Sequence, residues 1–217
     1  MKILKVSKIE LSSSPPDLDE ISGKLDAIKE KIPVDEINWD DFSYKPRVKF
    51  VMAYCKSVIF LKFYVTEEHF KAEKILTNEM VCEDSCVEFF VSPADDGIYY
   101  NLEFNAIGTC LMGSGTGREN SHRCDPGLIS SISRKTSLGG NPLGPAEGEI
   151  SWTITLAIPS SVFFRHSIKK LEGMEFRANF YKCGDRLPVP HYLSWNPVGT
   201  SRPDFHQPRY FGKLEFI

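Results

Sequence analysis

Apolar residues recur at every second position through most of this chain, and that period constrains the fold more than any other feature. Val48, Phe50, Met52 and Tyr54 alternate, Lys56-Ser57 permits a turn, and Ile59, Leu61, Phe63 and Val65 alternate again. This spacing predicts a hairpin. Val87, Phe89 and Val91 follow, Asp95-Asp96-Gly97 predicts a turn, and Tyr100, Leu102, Phe104 and Ala106 resume the pattern. Ile150, Trp152, Ile154, Leu156 and Ile158 form another run stopped by Pro159. Phe176, Ala178 and Phe180 make one more, and Lys213 to Ile217 a short last strand. Only Ser160 to Lys170 interrupts, as one or two helical turns. Many short strands separated by turn signals predict an all-β fold, an antiparallel two-sheet β-sandwich. Trp152, Phe89, Phe104, Phe176 and Phe180 are expected between its sheets.

The first 33 residues differ. Pro15-Pro16-Asp17 marks a break, after which Ile21, Leu25 and Ile28 recur at helical spacing, with Lys29 and Lys31 where cations suit a helix C-terminus. Residues 1–33 are therefore expected to form an extension with a short N-terminal helical segment, covering an edge of a domain that spans residues 34–217. Within that domain, 113–148 is rich in loop-forming residues, notably Gly113-Ser114-Gly115-Thr116-Gly117 and Gly139-Gly140-Asn141-Pro142. The first cluster lacks the Gly-Lys-Ser/Thr ending of a phosphate loop, so it is expected to be a flexible loop. One strand, Leu128 to Arg134, is expected after it.

A chain of 217 residues is long enough to bury a substantial core. A net charge of -3, with no basic run interleaved with aromatics, gives no reason to expect nucleic acid. No apolar stretch approaches the ~20 residues of a membrane helix, so no membrane partner is expected. Met1 to Lys8 alternates basic and apolar residues and offers no secretory core. As the chain stands, a cytoplasmic location is expected; a start lying upstream would make it periplasmic or secreted. The six cysteines match no zinc or redox spacing, and reduced, buried thiols are expected.

Alternation specifies both faces of a strand. Opposite Val87 and Phe89 stand Cys86 and Glu88; opposite Leu102 and Phe104 stand Asn101, Glu103 and Asn105; opposite Phe176 and Phe180 stand Arg177, Asn179 and Tyr181. If these strands share a sheet, one face carries carboxylates, amides and a guanidinium, groups that bond well to sugar hydroxyls. The same set reads equally well as a cross-strand ion-pair cluster of Glu88, Glu103 and Arg177.

Four segments, in order, resemble the family 9 carbohydrate-binding modules. They are Glu83-Asp84-Ser85-Cys86-Val87-Glu88-Phe89-Phe90, Asn101 to Gly108, Trp152 to Pro159, and Ser194-Trp195-Asn196-Pro197 with Phe205 to Gly212. The similarity runs from about residue 34 to 217, and the longer form with Phe180 to Asp185 is similar to a family-9-like group of bacterial proteins. The resemblance implies a DOMON-like jelly roll that binds sugars without catalysis, in glycan breakdown, with glycoside hydrolases as possible partners. It also implies a site on Glu88, Glu103, Asn105, Arg177 and Asn179, flanked by Trp195 and Phe205.

In that family two aromatic rings grip the sugar. Cys82 stands where the resemblance places one ring, and Phe205, followed by His206, where it places the other. Losing a ring that covers roughly 80 Å² of sugar face would cost ~2 kcal/mol, more than tenfold in affinity. Trp195, His191 and Tyr181 are candidates to replace it. The family often carries structural calcium, for which Asp95-Asp96-Gly97 or Glu83-Asp84 could supply oxygens.

Other chemistries remain as alternatives. Glu88 and Glu103 could serve a glycoside hydrolase if ~5–9.5 Å apart. Ser85 or Cys86 could work with His191 or His206 as a nucleophile. A DOMON-like domain could instead bind a protein or a heme, the latter with Met80 or Met112 paired to His191. His69, His122, His166, His191 and His206 form no metal-binding array.

Overall fold

A computed structural model of the chain describes residues 1–12 and 17–217, so Pro15 and Pro16 of the expected break lie outside the described residues. In chain order come β1 (Ile3–Lys8), α1 (Leu18–Ala27), β2 (Ile32–Pro33) and β3 (Glu36–Ile37). The long hairpin follows, β4 (Arg47–Cys55) and β5 (Val58–Ala72). Next are β6 (Cys86–Ser92), β7 (Tyr99–Asn105), β8 (Cys110–Gly115) and β9 (His122–Arg123). After α2 (Pro126–Ser130) come β10 (Ser133–Thr136), β11 (Leu143–Pro159), β12 (Glu175–Cys183), β13 (Tyr192–Ser194) and β14 (Gly212–Phe216).

Hydrogen bonds join these strands in the order β10-β11-β5-β4-β1-β14-β12-β6-β7-β8-β9, with β2, β3 and β13 attached at the sides. The β4–β5 hairpin turns at Lys56 and Ser57, as the alternation predicts, with Lys56 at φ 53. That left-handed φ suits the two-residue turns whose twist matches a hairpin.

The fold is thus mostly β, a curled mixed sheet. The antiparallel expectation fails at β1, which runs parallel to β14 at one end (Ile3↔Lys213) and to β4 at the other (Ser7↔Ala53). Parallel partners need a long crossover. The stretch from β1 to β4, carrying α1, supplies one.

Both halves of the path close over one apolar interior. Phe50 from one half stacks on Phe180 from the other at 3.8 Å, and Phe180 stacks on Phe89 at 5.1 Å. Trp152, Phe104 and Phe176 are buried in the same cluster. A polar network enters this interior. Lys182, on the core phase of β12, pairs with Glu67 at 2.8 Å, both fully buried, and Trp152 Nε1 donates to Glu67 Oε1 at 2.7 Å.

Three local expectations are corrected. Ile21 and Leu25 of α1 pack on Val51, Ala53, Phe60 and Ala157, so the helix covers a face of β4, β5 and β11 rather than an edge. Leu128 lies in α2, capped by Asp125, not in a strand. Gly113-Ser114-Gly115 is buried strand, the end of β8. A Cβ would stand 2.6 Å from Asn101 Oδ1 at Gly113 and 2.0 Å from the Asn120 carbonyl oxygen at Gly115. The glycines serve close approach, letting residues 118–123 cross the strand.

Candidate functional site

The face of β6, β7 and β12 turned away from the main core is ordered by register. Tyr181, Glu88, Glu103 and Leu111 form one row across β12, β6, β7 and β8. Cys183, Cys86 and Asn105 form the next. The sequence predicts a solvent-facing polar surface here, but a second buried cluster containing Trp39, Val81, Phe90, Tyr181, Phe205 and Phe211 covers most of it. What stays open is a cavity of about 450 Å³ over Glu88 and Glu103.

Its walls come from three places. Cys82, just before β6, and Cys183 and Asp185, at the end of β12, close one side. Arg118, Ser121 and Arg123, brought over β8 by its glycines, close another. Tyr192, Asp204, Phe205 and His206 complete the rim. Phe205 lies flat on Tyr181 at 4.0 Å, and Trp39 backs both Phe205 at 5.9 Å and Tyr192 at 6.2 Å. Trp39 is itself anchored by a bond from Nε1 to the Thr200 carbonyl at 2.7 Å. The rings are therefore held by packing rather than by loop conformation alone.

The floor is made of two buried carboxyls. Burial, then the neighbouring Glu103, pushes the Glu88 carboxyl well above the usual range. Burial pushes Glu103 up as well, against the Asn101 amide and the Arg123 charge. Two such groups on facing strands resist ionising together. Cys183 Sγ donates to Glu88 Oε1 at 3.0 Å, and Asn101 Nδ2 donates to Glu103 Oε1 at 2.9 Å. Burial also raises the thiols of Cys82 and Cys86, the latter to about 12, so both are neutral. His206, with Nδ1 2.6 Å from the Tyr99 hydroxyl, is brought down to about 4 by burial and the Arg118 charge, and is uncharged too. Asp185 is held up by desolvation inside the cleft although the residue stands exposed at its rim. Neutral donors and acceptors beside aromatic rings suit a ligand made of hydroxyls and C–H faces.

Of the predicted site residues, Glu88, Glu103 and Phe205 meet at the cavity. The other four do not line it. Asn105 ties Lys74, Asp84 and Thr109 together. Asn179 bonds to both backbone groups of Asn196. Arg177 donates to the carbonyls of Phe211 and Gly212, so it neither reaches the cavity nor forms an ion pair with Glu88 and Glu103. Register explains this: Arg177 faces Ser92, four positions from the Tyr181–Glu88 pair, roughly 13 Å along the strand. Trp195 packs in the main core against Phe50 and Phe180.

The two ring positions implied by the resemblance, Cys82 and Phe205, do converge on the cavity. Tyr192 joins them. Sequence alternation did not single it out because the pairing of β13 with β12, which sets Tyr192 opposite Cys183, leaves no local signal. Arg118, Ser121 and Arg123 were hidden in the glycine-rich stretch for the same reason.

Of the residues considered for other chemistries, Met80 and His206 line the cavity, while His191, Met112 and Ser85 are engaged elsewhere. His191 accepts from Lys182 Nζ at 2.8 Å and is held at about 2 by burial and that charge. Met112 is core, and Ser85 accepts from the Lys71 amide. Asp84 Oδ2 accepts from the amides of Glu73 and Lys74, Glu83 pairs with Lys74 and Arg186, and Asp96 bonds Ile98 and His166. These carboxylates are engaged by protein donors, although the second oxygen of Asp84 has only Lys71 Nζ at 3.9 Å. The thiols of Cys86 and Cys183 lie with a Glu88 oxygen within 4.8 Å of one another, the one grouping of metal-ligand type among the described residues. No helix is long and apolar enough to cross a membrane among the described residues.

A carboxyl-floored, ring-walled cavity on a curled β sheet defines a small-ligand binding module. The family model for carbohydrate-binding family 9 matches residues 21–216, and the chain belongs to that family. Its function is accordingly non-catalytic carbohydrate binding. None of the curated proteins matches it. A crystal structure from Bacteroides uniformis ATCC 8492, of a protein whose carbohydrate-binding role is itself a proposal, is 41% identical. The match covers 100% of this chain and 99% of that one, with a TM-score of 0.95. A family 9 module from Caldicellulosiruptor kristjanssonii, solved with glucose, is 13% identical at TM-score 0.60, over 100% of this chain and 96% of that one. A family 9 module from the same organism, solved with cellotriose, is 13% identical at TM-score 0.60, over 99% of this chain and 93% of that one. These two show the shared fold.

Proposed function

We propose that the cavity over Glu88 and Glu103 holds the end of a mono- or oligosaccharide, as an accessory to glycan breakdown by glycoside hydrolases. The observation that carries this is the convergence of Glu88, Glu103, Cys82 and Phe205 on one cavity of about 450 Å³. That volume lies within the ~300–1,000 Å³ of small-molecule sites. Glu88, protonated, can donate to a ring or hydroxyl oxygen, while Glu103 accepts. Tyr192 and His206 line the cavity with ring surface for the sugar's C–H face, joined by the part of Phe205 that its stack on Tyr181 leaves free, and Tyr192 partly makes up for the ring missing at Cys82.

The neighbours solved with glucose and cellotriose support a neutral hexose or glucan end as the first ligand to try. Calorimetric titration with a panel of mono- and oligosaccharides tests the proposal. Weak, enthalpy-led binding is expected, since hydroxyl bonds dominate once a clamp ring is lost. Phe205→Ala should weaken it at least ~5-fold, a loss of ~1 kcal/mol. Absence of binding to every sugar in the panel would sink the proposal.

The paired carboxyls support one competing reading, glycosidic hydrolysis with Glu88 as the acid. Incubation with the same oligosaccharides separates the two, because a binding module releases no reducing ends.

A further inference from the structure

Four acidic side chains are buried among the described residues: Glu67, Asp84, Glu88 and Glu103. Glu67 is paired with Lys182 at 2.8 Å. Asp84 has Lys71 at 3.9 Å and two backbone amides. Glu88 and Glu103 make no ion pair with a described residue, although Arg118 and Arg123 stand on the same cavity wall. Their partners are a thiol and an amide, on Oε1 in each case, and the structure assigns no donor to either Oε2. Both residues line the cavity.

The two arginines offset the burial of these carboxyls only in part, because their side chains are bonded to other groups. Arg118 spends Nε and Nη2 on Asp204 at 3.2 and 3.0 Å. Arg123 stands exposed at the rim with Nη2 against Met80 Sδ at 3.1 Å. Asp185 adds a further carboxyl to the same wall. His206, Cys82, Cys86, Cys183 and Tyr192 carry no charge at neutral pH. Lys182 is committed to Glu67 on the opposite face of β12.

We propose that this cavity selects an amino sugar in its ammonium form, with Glu103 and Glu88 as the acceptors of the charged group. The inference rests on the sugar-binding reading above and narrows its ligand class. Two facing buried carboxyls without an ion-pair partner resist ionising together. A ligand ammonium supplies that partner, so binding and ionisation of Glu103 favour each other, and the resulting bonds are charge-assisted. A neutral hydroxyl in the same place gains neither effect. The upward displacement of both carboxyls agrees with a floor built to be completed by a cation.

Calorimetry at about pH 6, where both the amino group and Glu103 start protonated, with glucosamine, glucose and N-acetylglucosamine tests this, since the three share a ring and differ in charge. Glucosamine should bind at least ~10-fold more tightly than either neutral sugar. Its binding enthalpy should vary with the buffer's ionisation enthalpy, because Glu103 releases a proton; this readout needs no variant. Glu103→Gln should bring the glucosamine-to-glucose ratio to about one and remove the proton release. Glucose or N-acetylglucosamine binding as well as glucosamine would overturn the inference and leave the sugar reading standing. No binding by any of the three, or by the wider panel, would overturn both.

Discussion

Strand β12 has a buried acid on each side, and the two are opposites. On the core side, Glu67 meets Lys182 at 2.8 Å, the Trp152 indole at 2.7 Å and, through Lys182, the neutral His191. On the cavity side, Glu88 faces Glu103, and their donors are a thiol to the first and an amide to the second. A buried carboxylate with its countercharge supplied by the chain is structure. One whose partner is missing, facing an open space, is a place where something else binds. The burial is alike; only the partners distinguish them.

Removing a charge should therefore act in opposite directions at the two places. Lys182→Met strands Glu67 in the core and should cost about 3–5 kcal/mol of unfolding free energy in urea titration. Glu103→Gln relieves a like-charge contact and should leave stability unchanged or raise it at alkaline pH. Equal destabilisation by the two would dissolve the distinction.

A smaller effect separates them by pH. Glu103 is raised to about 7 from 4.5, and Glu88 moves the same way. The folded state then binds protons more tightly than the unfolded one. Stability from this pair is full below the ordinary carboxylate range and is lost as pH rises through about 7. Melting temperatures measured across that window should fall in the wild type and stay flatter in Glu103→Gln. An increase with pH would reverse the assignment of the floor.

Affinity gives the next contrast. Cys82→Trp restores a ring at the cavity wall and should tighten sugar binding roughly tenfold by calorimetry. Arg177→Met, remote from the cavity, should change affinity by less than about twofold while costing ~1–2 kcal/mol of stability through its lost bonds to Phe211 and Gly212. The sequence alone predicted the reverse for Arg177.

That reversal shows what alternation can and cannot tell. Period two correctly put Phe89, Phe104, Trp152 and Phe180 inside and Glu88 with Glu103 on the other face, because strand phase is local. It could not say which members of the polar face stay open. Asn105, Asn179 and Arg177 share that phase but are consumed by the backbone of chain segments that arrive from far along the sequence. Glycines 113 and 115 read as a loop because composition does not reveal that a second segment lies against them. β1 passed unnoticed because its Ile3 is exposed and Val6 alone is fully buried, so hydrophobicity does not mark a strand inserted in mid-sheet.

The most direct test of the central claim is to map where a sugar sits by amide chemical-shift changes during titration with the tightest ligand of the panel. The account predicts that the shifts concentrate on Cys82, Glu103, Leu111, Tyr192 and Phe205 around the 450 Å³ cavity. Shifts centred on Tyr44 to Arg47 at the smaller cavity of about 70 Å³, or on Arg177 and Asn179 alone, would contradict it.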